Sequence, residues 1–139
     1  MFNDYVLFET KIVPKEGTPY LPTFGKTKLV ITINEIRVVD QKWTYTIPLH
    51  QIYSCTTKPM PIRTYIFPFG PTDAMHNFLI IDYLNEFNQR VLFRAVFTKY
   101  FWTKKNVVEA IRFDEVIKAY HLDDKFIKTP PSSDEKSND

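Results

Sequence analysis

Gly25-Lys26-Thr27 has the residue types that end a phosphate-binding loop, where backbone N–H groups cradle phosphates and a lysine reaches them. That loop needs a glycine five residues before Gly25, and the position is Tyr20. It also needs a helix to follow, whereas Lys28-Leu-Val-Ile-Thr-Ile33 alternates as a strand does. With 3 glycines in 139 residues, Gly-rich phosphate loops are nearly excluded by composition.

His50, His76 and His121 fall in different predicted elements with no ligand spacing between them, so no metal centre and no cofactor is implied. His50 and the lone Cys55 could approach one another, but no acid can be named to orient a histidine base. The carboxylates are dispersed: Asp114-Glu115 lies in a helical stretch and Asp123-Asp124 just past its end. No catalytic residue is assigned, and the chain reads as a non-enzyme.

The lysines offer more. Lys15, Lys26 and Lys28 bracket a long proline-containing connection, with Lys11 on the strand before it. Lys99, Lys104 and Lys105 surround Tyr100-Phe101-Trp102 just before the helical stretch. Lysines with a helix N-terminus suit an anion, and aromatics among lysines suit a membrane interface. Phe101 and Trp102 turned inward to plug the sheet, with the lysines simply solvated, is the competing reading. A further contact surface lies in the Pro/Phe-rich stretch 59–71. There Ile66, Phe67 and Phe69 would form an apolar patch for a peptide or acyl chain, or else pack an ordered loop.

These residues must be positioned by short strands. Tyr5–Val13 is β-rich, and Pro14–Phe24 is a connection. Lys28–Ile33 and Ile36–Val39 flank a tight turn at Asn34-Glu35. Trp43, Tyr45, Ile47 and Leu49 keep strict period two, with Thr44 and Thr46 opposite. Ile52–Thr57 is a shorter strand. Residues 58–75, punctuated by Pro59, Pro61, Pro68 and Pro71, read as irregular with one short strand at Thr64–Phe67. Asn77–Leu84 and Arg90–Phe97 flank a hairpin loop at Asn85–Asn88. Asn106 followed by Glu109 marks a capping-box-like helix start. The helix then runs over Val107–His121, with Val107, Ala110, Ile111, Phe113, Ile117 and Tyr120 on one broad face.

A hydrophobic fraction of 44% and an aromatic fraction of 16% argue for one packed domain that needs no disulfide. The formal charge is +2, and residues 123–139 hold five acids and three lysines. The remaining body is mildly basic, which permits an anionic partner but falls short of a dedicated nucleic-acid binder. The single cysteine, the absence of a membrane-spanning run and the acidic start Met1-Phe-Asn-Asp-Tyr make a cytoplasmic location the expectation, with peripheral membrane attachment as an extension of it.

Thr27–Val39, Trp43–Leu49 with Ile52, and Arg90–Phe97 leading into Asn106–Tyr120 together resemble a pleckstrin-homology-like (PH-like) domain of the GRAM or bacterial type. The stretch Ile47-Pro-Leu-His-Gln-Ile52 looks like that family's strand after the second hairpin. The resemblance implies a mainly β fold with one C-terminal α-helix. Its architecture would be a barrel, or two orthogonal antiparallel sheets of about seven strands, capped by the helix. The domain would span residues 1–122, with a disordered polar tail over 123–139. It also implies an interaction or targeting module that binds a partner protein. The alternative is an anionic, phosphoinositide-like headgroup held by Lys15, Lys26 and Lys28, with lysine at 28 where headgroup-binding members carry arginine. Nucleic acid ranks last among partners, and the oligomeric state stays open.

Overall fold

The computed structural model describes residues 5–22, 26–66, 68–98 and 106–128, with side chains at 62–66, 72–74 and 106 left aside. Among the described residues seven strands are present: β1 (Phe8–Glu16), β2 (Lys28–Ile31), β3 (Glu35–Val39), β4 (Thr44–Pro48), β5 (Ile52–Ile66), β6 (Gly70–Leu84) and β7 (Arg90–Phe97). One helix, α1 (Asn106–Ala119), follows. Every pairing is antiparallel, and the strand order is β4-β3-β2-β1-β7-β6-β5. β4 and β5 are the two ends of this order, so the expected closed barrel is not formed; the sheet is open.

β1 joins the two halves by splitting its length. Phe8–Lys11 pairs with β2, while Ile12–Glu16 pairs with β7 across an irregularity between Pro14 and Glu16. The alternation expected from the sequence places Leu29, Ile31, Ile36, Val38, Ile47 and Leu49 in the core, with Thr44 and Thr46 exposed. Ile33 is exposed instead, because the chain leaves the ladder at Thr32, whose hydroxyl accepts from the Asn34 and Glu35 N–H groups to make the turn. The loop after β6 is also as expected: the Asn85 side chain accepts from the Phe87 and Gln89 N–H groups, and Asn88 takes a positive φ.

The main correction concerns 58–75. This stretch is not irregular: β5 and β6 pair continuously from Ile52↔Tyr83 to Ile66↔Gly70, with one irregularity between Ile52 and Ser54. Proline argued against a strand because it cannot donate to a ladder, but β5 is an edge strand. Pro59 (opposite Asn77), Pro61 (opposite Met75) and Pro71 (opposite Tyr65) all fall on the same alternate phase of pairs. In that phase the N–H groups point away from the partner strand, so no cross-strand bond is lost. β7 pairs with β6 only from Phe78 onward. The residues beyond stand out as a two-stranded arm about 26 Å long at about 3.3 Å per residue.

α1 lies across β1, β5, β6 and β7. Its buried face is Glu109, Ala110, Phe113 and Ile117, rotated from the expected one, so Val107, Ile111 and Tyr120 are exposed. Glu109 is only 1% exposed, yet among the described residues neither carboxylate oxygen has a hydrogen-bond partner. The capping box expected at Asn106 and Glu109 is therefore not made by Glu109. The positive end of the helix dipole still favours a carboxylate in this first turn. After α1 comes a 3₁₀ turn at Leu122–Lys125, and the Ile127 N–H donates to Ile52 O at 2.7 Å.

Candidate functional site

Two surfaces gather the side chains singled out above. The first is built where β1 and β2 pair. Lys11 and Lys28 are direct register partners, and Lys26 stands just ahead of β2. Like charges directly opposite on a sheet repel, so this pair costs stability unless a counter-charge is near. Glu9 supplies part of one, 3.5 Å from the Lys28 ammonium, with both side chains about half exposed.

Together with Thr27, Val39, Asp40 and Gln41, these lysines line a hollow of about 390 Å³. Its floor is fixed by hydrogen bonds. The buried Thr27 hydroxyl donates to Asp40 Oδ1 at 2.9 Å, Asp40 Oδ2 accepts from the Lys42 N–H at 3.0 Å, and the Asp40 N–H donates to Trp43 O. The arrangement can attract an anion through ammonium point charges, though not grip it with a planar fork as arginine would. The Asp40 carboxylate in the lining works against it.

Lys15 does not join this group. It lines a separate hollow of about 250 Å³ formed by Pro14–Pro22. That connection is folded back rather than free. The Trp43 indole N–H donates to Leu21 O at 3.0 Å, Tyr20 packs against the Trp43 ring, and the Tyr83 hydroxyl donates to Gly17 O at 3.0 Å. Of the three lysines expected to converge, Lys26 and Lys28 do, and the third member is Lys11. The signal for Lys11 was its place on the strand before the connection, which only the β1–β2 register turns into proximity.

The second surface runs between α1 and the outer edge of β5. The Thr57 hydroxyl donates to Asp114 Oδ2 at 2.8 Å, tying the helix to the strand. Val107, Ile111 and Asp114 share one helix stripe, so exposed Val107 and Ile111 continue the line that Asp114 starts. Cys55 and Thr57 fall on the phase of Pro59 and Pro61, so their N–H groups face outward, and among the described residues no strand covers that edge.

Burial, with the Asp114 charge added to it, pushes the Cys55 thiol well above its ordinary range. The sign follows from both causes: each disfavours the thiolate, so at pH 7–8 the residue stays a thiol and is a poor nucleophile. Alkylation by iodoacetamide at pH 8 should run at least tenfold slower in the folded chain than in urea; equal rates would show an activated cysteine.

Phe69 lies in the turn of the arm and is 85% exposed. Ile66 ends β5 where that turn begins and is described by its backbone alone. Phe67, Lys99, Trp102, Lys104 and Lys105 lie outside the described residues. Among the described residues, no three of His, Cys, Asp and Glu come together as a metal-holding group, and no helix is long and apolar enough to cross a membrane. Compared with family models, curated proteins and solved structures, the chain matches none.

Proposed function

We propose that this chain is a non-catalytic interaction module of PH-like type, binding an extended segment of a partner protein between β5 and α1. The strand order supports the type. A first strand shared by two antiparallel halves, with a C-terminal helix lying on the sheet, suits two sheets set at a steep angle and one end covered by the helix.

One observation carries the binding site: the outward N–H groups of Cys55 and Thr57 lie beside the helix stripe of Val107 and Ile111. An added strand would take main-chain hydrogen bonds from the edge and place alternate apolar side chains against the helix. Pro59 and Pro61 end the usable edge, which fixes the site to a few residues and blocks indefinite strand addition.

Selection from a random peptide library, followed by amide chemical-shift mapping, tests this. Bound peptides should shift Cys55, Thr57, Val107 and Ile111, and Thr57→Pro should weaken binding about tenfold or more, since it removes an outward donor. A library that yields no binder, or shifts confined elsewhere, would overturn the proposal.

The lysine hollow favours a second reading, an anionic headgroup at Lys11, Lys26 and Lys28. The same spectra, recorded against a soluble inositol phosphate, should show salt-sensitive shifts at those lysines if it holds.

A further inference from the structure

We infer that the slot between β5 and α1 takes the free C-terminal end of a partner chain, with its α-carboxylate toward Ile52. The inference rests on the groove reading above and adds which part of a partner chain enters it.

The slot is closed at both ends. Toward Pro59 and Pro61 the edge loses its N–H donors. At the start of β5, Ile52 O accepts the Ile127 N–H at 2.7 Å, and the Ile52 N–H donates to Leu49 O. No main-chain group of Ile52 is left for a ligand, and the segment after α1 sits where an added strand would continue past Cys55. A partner strand must stop or turn away there. A chain end meets that limit without a turn.

The helix sets the polarity. Asp114 is bonded to Thr57, and the chain after α1 reaches Ile52, so α1 runs against β5 with its C-terminal end toward Ile52. Exposed Lys118 is one turn beyond Asp114 on the stripe of Val107 and Ile111. A strand added antiparallel to β5 has its C-terminal end on that side, with its last residue opposite Cys55. The Cys55 N–H then donates to the terminal carboxylate, and Lys118 is the cation of the stripe at that end. Val107 and Ile111 are about 6 Å apart along the helix, close to the two-residue strand repeat of about 6.6 Å. Apolar side chains two and four places before the terminus therefore fit them.

Charge acts here by place rather than by sum. Residues 118–128 hold Lys118, Lys125 and Lys128 against Asp123 and Asp124, and Lys125 is tied to Ile33 O. Glu115 is exposed on the outer flank of the helix. Along the stripe itself, Asp114 occupies the middle and Lys118 the closed end, where Lys128 follows Ile127. That order repels a carboxylate from the middle of the slot and accepts one at its end.

The test takes a peptide selected from a library displayed with free C-termini and compares its acid, its amide and a glycine-extended form. Binding to the full chain is read by fluorescence anisotropy. The acid should bind about tenfold or more tightly than either other form, since a charge-assisted contact is lost in both. Lys118→Glu combined with Lys128→Glu should bring the acid down to the amide and leave the amide unchanged. Both lysines are exposed, so this variant should keep the wild-type circular dichroism. Amide and extended forms that bind as tightly as the acid, with Thr57→Pro weakening all three, would overturn the terminus inference and leave the groove standing. An acid preference that survives the lysine substitutions would overturn the placement of the carboxylate. A library with no binder would remove the groove reading and this inference with it.

Discussion

Phe113→Ala should destabilise the chain by about 3–5 kcal/mol. The ring has no exposed surface and packs edge-on against Phe8 and Phe97, with centroids 6.4 and 6.1 Å away. It is the residue through which α1 meets β1 and β7, so removing it opens a cavity where the two halves of the sheet meet. Helix and strands are both held rigidly there, and little of that cavity can collapse. Ile111, two residues earlier on the same helix, is 50% exposed. Ile111→Ala should therefore cost only about 0.5 kcal/mol or less. Urea unfolding of the two variants measures the difference. Equal losses would mean that the helix presents to the sheet the broad face suggested by its sequence, and that the observed rotation is wrong.

Gly17→Ala should be nearly as damaging, with a loss of about 3 kcal/mol or more. Gly17 has φ +92°, and a Cβ there would sit 2.4 Å from Leu92 O and 2.5 Å from Phe93 Cα. Both are backbone atoms of a paired strand, so they cannot step aside as a side-chain end would. Its carbonyl also accepts the Tyr83 hydroxyl, and Tyr83 in turn lies 3.1 Å from the Tyr45 hydroxyl. Displacing Gly17 would disturb a contact that links the β1–β2 connection to β4 and β6. Gly70→Ala is the natural comparison. Gly70 has φ +94°, but nothing lies within 4 Å of the added carbon. It should cost only the backbone penalty, about 1–2 kcal/mol. The gap between the two midpoints isolates the clash; no gap would mean that the connection is free to move.

What could be read from the residues divides along physical lines. β3 and β4 were legible because each has one buried and one more exposed face, which writes itself as period two, while β2 and the end of β7, buried on both faces, were marked by their apolar, β-branched residues. The arm was not, since proline is informative only once a strand's neighbours are known. The same residue that breaks a central strand is harmless on an edge, and strand order is not a local property. The helix was legible as a helix, but its face was misjudged by hydropathy. Val107 and Ile111 are exposed, while Glu109, an acid, turns inward. In the lysine hollow Lys26 and Lys28 were found from their spacing, whereas Lys11 needed the register that sets it opposite Lys28.

β1's division between two partners has a kinetic side. β2 with β3, β3 with β4, β5 with β6 and β6 with β7 are sequential neighbours that can zip up locally, each across a short turn. The β1–β7 ladder instead joins Ile12 to Phe97, close to opposite ends of the folded body. Its closure entropy must be met before its contacts reward it. The two halves can therefore acquire their local structure independently, and the rate of reaching the native state is governed by the search that brings the first strand to the last.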